Sequence, residues 1–155
     1  MRWTRGAAIG GWDMGVHVEV DRDAVRVRLD GCDAVLALCR GIEVPHDRIL
    51  GVRVMGRADA VASSPRTPAP GTWWPGTWWP GRVRAGWWGV GQRRQFWCTR
   101  AADRMLVVYL RGRPCHRVVL EVDAPDATRR TIERALVQSR VDAGLRSLGG
   151  RTEPA

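Results

Sequence analysis

The chain has 155 residues and a mass of 17.3 kDa, enough for one domain with its own core. A hydrophobic share of 45% with 26% charged residues excludes extended disorder, and no apolar run approaches a membrane-spanning length, so no transmembrane segment is expected. The net charge of +9 is carried by 25 arginines with no lysine, which removes Schiff-base chemistry and the Walker phosphate loop; a GC-rich genome or a functional arginine preference explains this bias equally well.

The opening MRWTRGAAIGGWDMG is too short in apolar content for a secretion signal, and a cytoplasmic location is expected. Residues 1–14 read as a loose extension, with the domain proper over 15–140. Alternation with period two starts immediately after it. Val16, Val18 and Val20 share one face, Val25, Val27 and Leu29 repeat the pattern after Asp21-Arg22-Asp23, and His17, Glu19, Arg26 and Arg28 fall outside. This predicts a hairpin with one wet face. A short strand is expected over 34–38 and another over 49–54, followed by a long irregular loop over 56–81 rich in Pro, Gly and Trp.

Strand patterns resume at 82–87, 95–100, 105–110 and 116–122. MLVVYL is apolar on both faces and belongs in the middle of a sheet, whereas HRVVLEV alternates around its valines. Asp123-Ala-Pro-Asp126 predicts a helix start, Ile132, Ala135 and Leu136 its buried stripe, and an end near residue 140, leaving 141–155 as a flexible tail. The fold class is therefore mainly β (α+β): seven or eight strands in a small barrel or pair of orthogonal sheets, capped by one C-terminal helix.

The succession PGTWWPGRVRAGWW, RRQFWCTR, an apolar strand and HRVVLEVDAPDATRRTIERAL resembles small actinobacterial proteins with a pleckstrin-homology-like fold, over roughly residues 15–138. The resemblance implies that fold and a binding role. Those proteins carry a single Pro-Gly-Thr-x-x-Pro-Gly before the strand, whereas here the pentad Gly-Thr-Trp-Trp-Pro occurs twice, over 71–80. One copy is expected to supply the turn that launches the strand at Arg82, and the other to be a tandem loop insertion. Eukaryotic phosphoinositide binders of this fold place basic residues between their first two strands. The corresponding turns VDRDAV and RLDGCDAV are acid-rich, so the resemblance carries no inositol-phosphate site there.

Charge is uneven along the chain. Residues 1–80 hold 10 arginines and 9 acids, while residues 81–155 hold 15 arginines and 7 acids. A basic side bearing aromatic rings suits an acidic protein partner or an anionic lipid surface, and its bland alternative is a solvated sheet face. The candidate binding residues are Trp73, Trp74, Trp78, Trp79, Arg82, Arg84, Trp87, Trp88, Arg93 and Arg94. The tryptophans of the doubled pentad either meet such a partner or fold over the open barrel as a lid. Trp97, beside Phe96 on a strand, reads as core.

Catalytic parts are not assembled by the sequence. GVGQRR lacks the second half of a dinucleotide fingerprint and fits a hairpin turn. Cysteines 32, 39, 98 and 115 include no CxxC pair and read as small buried residues, and Cys115-His116 lacks a patterned counterpart for a thiol dyad or metal site. Expected, then, is a non-enzymatic binding module without metal or cofactor. Its ligand is a protein partner reached through the arginine- and tryptophan-bearing side, with peripheral attachment to anionic lipid as the alternative and nucleic acid not favoured.

Overall fold

The valine pattern pairs as its period requires: in the computed structural model Val16 stands opposite Leu29, Val18 opposite Val27 and Val20 opposite Val25. The structure describes residues 15–31, 34, 37, 40–64, 76–79, 83–113 and 115–149. The expected extension over 1–14, and residues 150–155 of the expected tail, lie outside them. β1 (Gly15–Val20), β2 (Ala24–Asp30) and β3 (Gly41–Pro45) form an antiparallel three-stranded sheet in that order. Its outer face is polar, with Arg26 Nε donating to Glu43 Oε2 at 2.8 Å across β2 and β3.

The second sheet has six strands in the order β4-β8-β9-β7-β6-β5. These are β4 (Ile49–Gly56), β5 (Gly76–Trp79), β6 (Val83–Trp88), β7 (Gln95–Thr99), β8 (Arg104–Leu110) and β9 (Arg117–Leu120). All neighbours are antiparallel except β7 and β9, which run parallel with Gln95 beside Arg117 and Cys98 beside Leu120. β8 is an inner strand buried on both faces, as MLVVYL requires. β9 departs from its expected wet face, because Arg117 to Leu120 are all buried between β8 and β7.

Pleating splits the large sheet into two packed faces. Phe96, Cys98, Leu106, Val108, Leu110, Val118 and Leu120 point to the three-stranded sheet and meet Val16, Val18, Val25, Val27, Leu29, Ile42 and Val44 in the main core. Trp88, Trp97, Met105, Val107 and Val119 point the other way and pack with Ala60 in a second, smaller cluster. The helix α1 (Arg57–Ala62), which contributes Ala60, packs on β4 and β8. The long helix α2 (Pro125–Gly149) lies against β4, β8 and β1, with Thr128, Ile132 and Leu136 buried. Pro125 takes its first position, where a missing N–H costs nothing, and Asp126 of that turn pairs with Arg104 at 2.7 Å.

Several expectations need correction. Of the strand expected over 34–38, the described residues Ala34 and Ala37 instead have helical backbone, three residues apart as one helical face requires, and Ala37 is buried in the main core. The segment 56–81 is not irregular throughout, since the alanine-rich Arg57–Ala62 forms α1 and the second pentad forms β5. There are nine strands among the described residues, not seven or eight; β3, with its Ile42-Glu43-Val44 alternation, and β5 were not foreseen. α2 continues to Gly149 instead of stopping near residue 140, and its last turns expose Val137, Val141 and Leu145. The architecture is mainly β, two sheets and a C-terminal helix, and no helix among the described residues is long and apolar enough to cross a membrane.

Candidate functional site

The parallel pairing of β7 and β9 decides what gathers at one end of the large sheet. Parallel strands start side by side, so the residues just ahead of them meet: the backbone N–H of His116 donates to the carbonyl of Arg94 at 2.9 Å. Two turns converge there. The β6–β7 connection passes through Gly89 and a 3-10 turn at Gly91–Arg93, as GVGQRR leads one to expect, and the β8–β9 connection passes through Gly112. Gly91 and Gly112 have φ of 56° and 78°, left-handed values that a side chain would strain.

Between these turns lies a cleft of about 850 Å³ lined by Gly91, Gln92, Arg94, Gly112, Arg113 and His116. No described lining residue is acidic. Arg94 is held by an aromatic ring, its guanidinium carbon 4.5 Å from the centroid of Trp87, which in turn meets Phe96 edge-on at 5.0 Å. Arg48 Nη1 donates to the carbonyl of Arg113 at 2.7 Å and fixes the other rim. Burial lowers the pKa of His116 below the usual 6.5, opposed by the carbonyl of Arg94 and reinforced by Arg117, so its ring is neutral at pH 7. Adjacent Cys115 is buried and its thiol pushed up to about 11, mainly by burial, so it is held in the protonated form at neutral pH.

A second constellation occupies the outer face of the large sheet, beneath α1 and its C-terminal serines. The guanidinium of Arg84 lies 4.5 Å from the ring of Trp88 and 4.3 Å from that of Trp97, while Arg117 lies 5.7 Å from both Trp97 and Tyr109. Contacts of this kind contribute about 0.5–2 kcal/mol each, more when dry. Arg84 Nη1 donates to Ser64 Oγ at 2.6 Å, and Arg117 Nη1 donates to Ser63 Oγ at 2.9 Å. Burial, with Arg117 adding to it, brings Arg84 down to about 10, and burial lowers Arg117 as well. Both remain cations at neutral pH.

Of the residues expected to share one binding side, the structure brings Arg93 and Arg94 to the cleft end and sets Arg84 with Trp88 under α1. Trp87 and Trp88 are consecutive on β6 and point to opposite faces, so they do not form one aromatic patch; Trp88 is 8% exposed. Trp78 and Trp79 belong to β5, opposite Arg84 and Val83 in register. Trp73, Trp74 and Arg82 lie outside the described residues. Sequence reasoning passed over Gln92, Arg113 and His116 as site residues, because only the β7–β9 pairing shows that the two turns meet. Among the described residues no group of His, Cys, Asp and Glu side chains could hold a metal ion. No family model matches the chain, and no curated protein and no solved structure matches it either.

Proposed function

We propose that the chain is a cytoplasmic, non-enzymatic binding module of pleckstrin-homology-like architecture that takes an acidic segment of a protein partner at the cleft between the β6–β7 and β8–β9 turns. The observation that carries this reading is the lining itself: Arg94, Arg113 and His116 converge with Gln92, and no acid opposes them among the described residues. Such a cleft offers a carboxylate forked donors from two sides. Two sheets packed through one core and bridged by a C-terminal helix support the architectural part. No cofactor enters the mechanism. Binding is electrostatic steering followed by paired hydrogen bonds on a preformed rim.

A second reading has its own observation. Val90, 56% exposed, stands beside Arg93 at the tip of the β6–β7 turn, an apolar residue flanked by cations as in peripheral lipid contacts. One experiment separates the two: titration of the protein with a glutamate-rich peptide and, in parallel, with vesicles of graded phosphatidylserine content. The partner reading expects saturable peptide binding at one-to-one stoichiometry that Arg94→Gln with Arg113→Gln weakens. Vesicle binding that scales with anionic lipid, without peptide binding, would replace it.

A further inference from the structure

Five arginines gather at the end of the large sheet where the cleft opens. Arg94 and Arg113 line it, and Arg93 precedes Arg94 on the β6–β7 turn. Arg48 and Arg111 adjoin Arg113: Arg48 Nη1 donates to the Arg113 carbonyl at 2.7 Å, and the backbone N–H of Arg111 donates to the carbonyl of Arg48 at 2.8 Å. None of the five is in an ion pair among the described residues, and Asp47, the one acid within two positions of any of them, pairs with none. Backbone donors lie on the same two turns. The N–H groups of Gly91, Gln92, Gly112 and Arg113 have no acceptor among the described residues. A Cβ added at Gly91 or Gly112 would meet nothing within 4 Å, so the main chain is open at both turns.

Resting on the reading of this cleft as the partner's docking site, we infer that the acidic group it receives is a phosphorylated side chain, recognised by Arg94 and Arg113 together with the turn amides. Two bidentate guanidinium forks use up the roughly four acceptor sites of a carboxylate. A phosphate monoester brings about 1.5 to 2 negative charges at pH 7 and a third terminal oxygen, which is left over for Gln92 or a turn N–H. Charge and donor count therefore both favour the phosphate over a glutamate. Arg94 is kept ready by the ring of Trp87, and Arg48 holds the turn that carries Arg113. A cleft of about 850 Å³ admits a whole phosphorylated side chain with its flanking backbone, which favours a protein over the flat face of a bilayer.

Full-length protein is titrated by fluorescence anisotropy with one glutamate-rich peptide in four forms, carrying phosphoserine, phosphotyrosine, glutamate or serine at its central position. At least one phosphorylated form binds about tenfold or more tightly than the glutamate form, and inorganic phosphate competes where acetate at equal ionic strength does not. Arg94→Gln with Arg113→Gln removes most of that preference. Arg130→Gln with Arg134→Gln, the same loss of charge at exposed positions of α2, leaves it intact. The wild-type comparison decides even if the cleft variant folds poorly. Equal affinity for the phosphorylated and glutamate forms would overturn this inference and leave the docking site standing, whereas no binding of any form would overturn both. A preference that survives in the folded cleft variant would place the phosphate elsewhere. Binding to vesicles containing phosphatidic acid, with no preference among the peptides, would give the cleft to a lipid headgroup instead.

Discussion

The guanidinium carbon of Arg94 sits 4.5 Å from the centroid of Trp87, so a residue at the rim of the cleft is anchored to a ring that packs on the main core. An arginine held this way loses little side-chain freedom when it binds an anion. Replacing Arg94 and Arg113 by glutamine is expected to weaken binding of an acidic peptide by about 1 kcal/mol per charge or less and to flatten its dependence on salt. Thermal stability should change little, because Arg113 is exposed and the Trp87–Phe96 contact persists. Anisotropy titrations at low and high salt check the first part, and melting curves the second.

His116 gives the protein a pH dependence whose sign is fixed by its lowered pKa. The folded state binds a proton less readily than the unfolded chain, so folding stability attributable to His116 is complete above the usual value of 6.5 and is lost as pH falls below it. The Tm of the native protein should therefore drop more steeply than that of His116→Gln between about pH 7 and about pH 5. Binding of an acidic peptide should change in the opposite direction, strengthening as the ring charges. Parallel slopes in wild type and variant would remove His116 from the account.

Cys115 tests the dryness of the β9 end. With its thiol raised to about 11 by burial, it has almost no thiolate at mildly alkaline pH. Iodoacetamide should leave Cys115 unmodified in the folded protein and label it once urea has unfolded the chain, as peptide mapping by mass spectrometry would show. Rapid labelling under native conditions would mean that this end opens locally.

Trp97 joins the two halves of the outer face. It is fully buried, its Nε1 donates to Gln95 Oε1 at 3.0 Å, and both Arg84 and Arg117 lie over its ring. Trp97→Ala should cost about 3–5 kcal/mol, enough to leave much of the chain unfolded. Trp97→Phe should cost about 1–3 kcal/mol, because the ring persists but Gln95 loses its donor. Urea unfolding separates the two, and equal costs would mean that packing alone accounts for the site.

The parts of the fold set by local pattern were legible in the sequence. Val16, Val18 and Val20 declare β1 because period two is unambiguous when the other face is polar, and Asp123 to Asp126 declare the start of α2. Ala34 and Ala37 are helical where a strand is expected because a short apolar run has no period to distinguish strand from helix, and Ala37 is buried in the main core. The site was legible only in composition. Arg94 and His116 are 22 positions apart and meet through a parallel pairing that no residue in either strand announces.

The doubled pentad supplies the last expectation. Its second copy is β5, an edge strand with Gly76 opposite Gly86 and Trp78 opposite Arg84. Deleting Gly71–Pro75 and deleting Gly76–Pro80 yield the same chain, because the copies are identical and the next residue is again glycine. The surviving Gly-Thr-Trp-Trp therefore still precedes Pro80-Gly81-Arg82 and can keep the pairing with β6. What shortens is the connection from Ser64, to six residues, which still spans about 25 Å when extended. That suffices: Ser64 Oγ lies 2.6 Å from Arg84 Nη1, and β5 is the next strand, about 4.8 Å away. Stability should change by about 1 kcal/mol or less. Deleting both copies removes β5, bares the edge of β6 and should cost several times more, with a tendency to aggregate. Urea unfolding of the two variants beside the native chain tests this, and a single deletion as damaging as the double one would show that the remaining copy does not take over the strand.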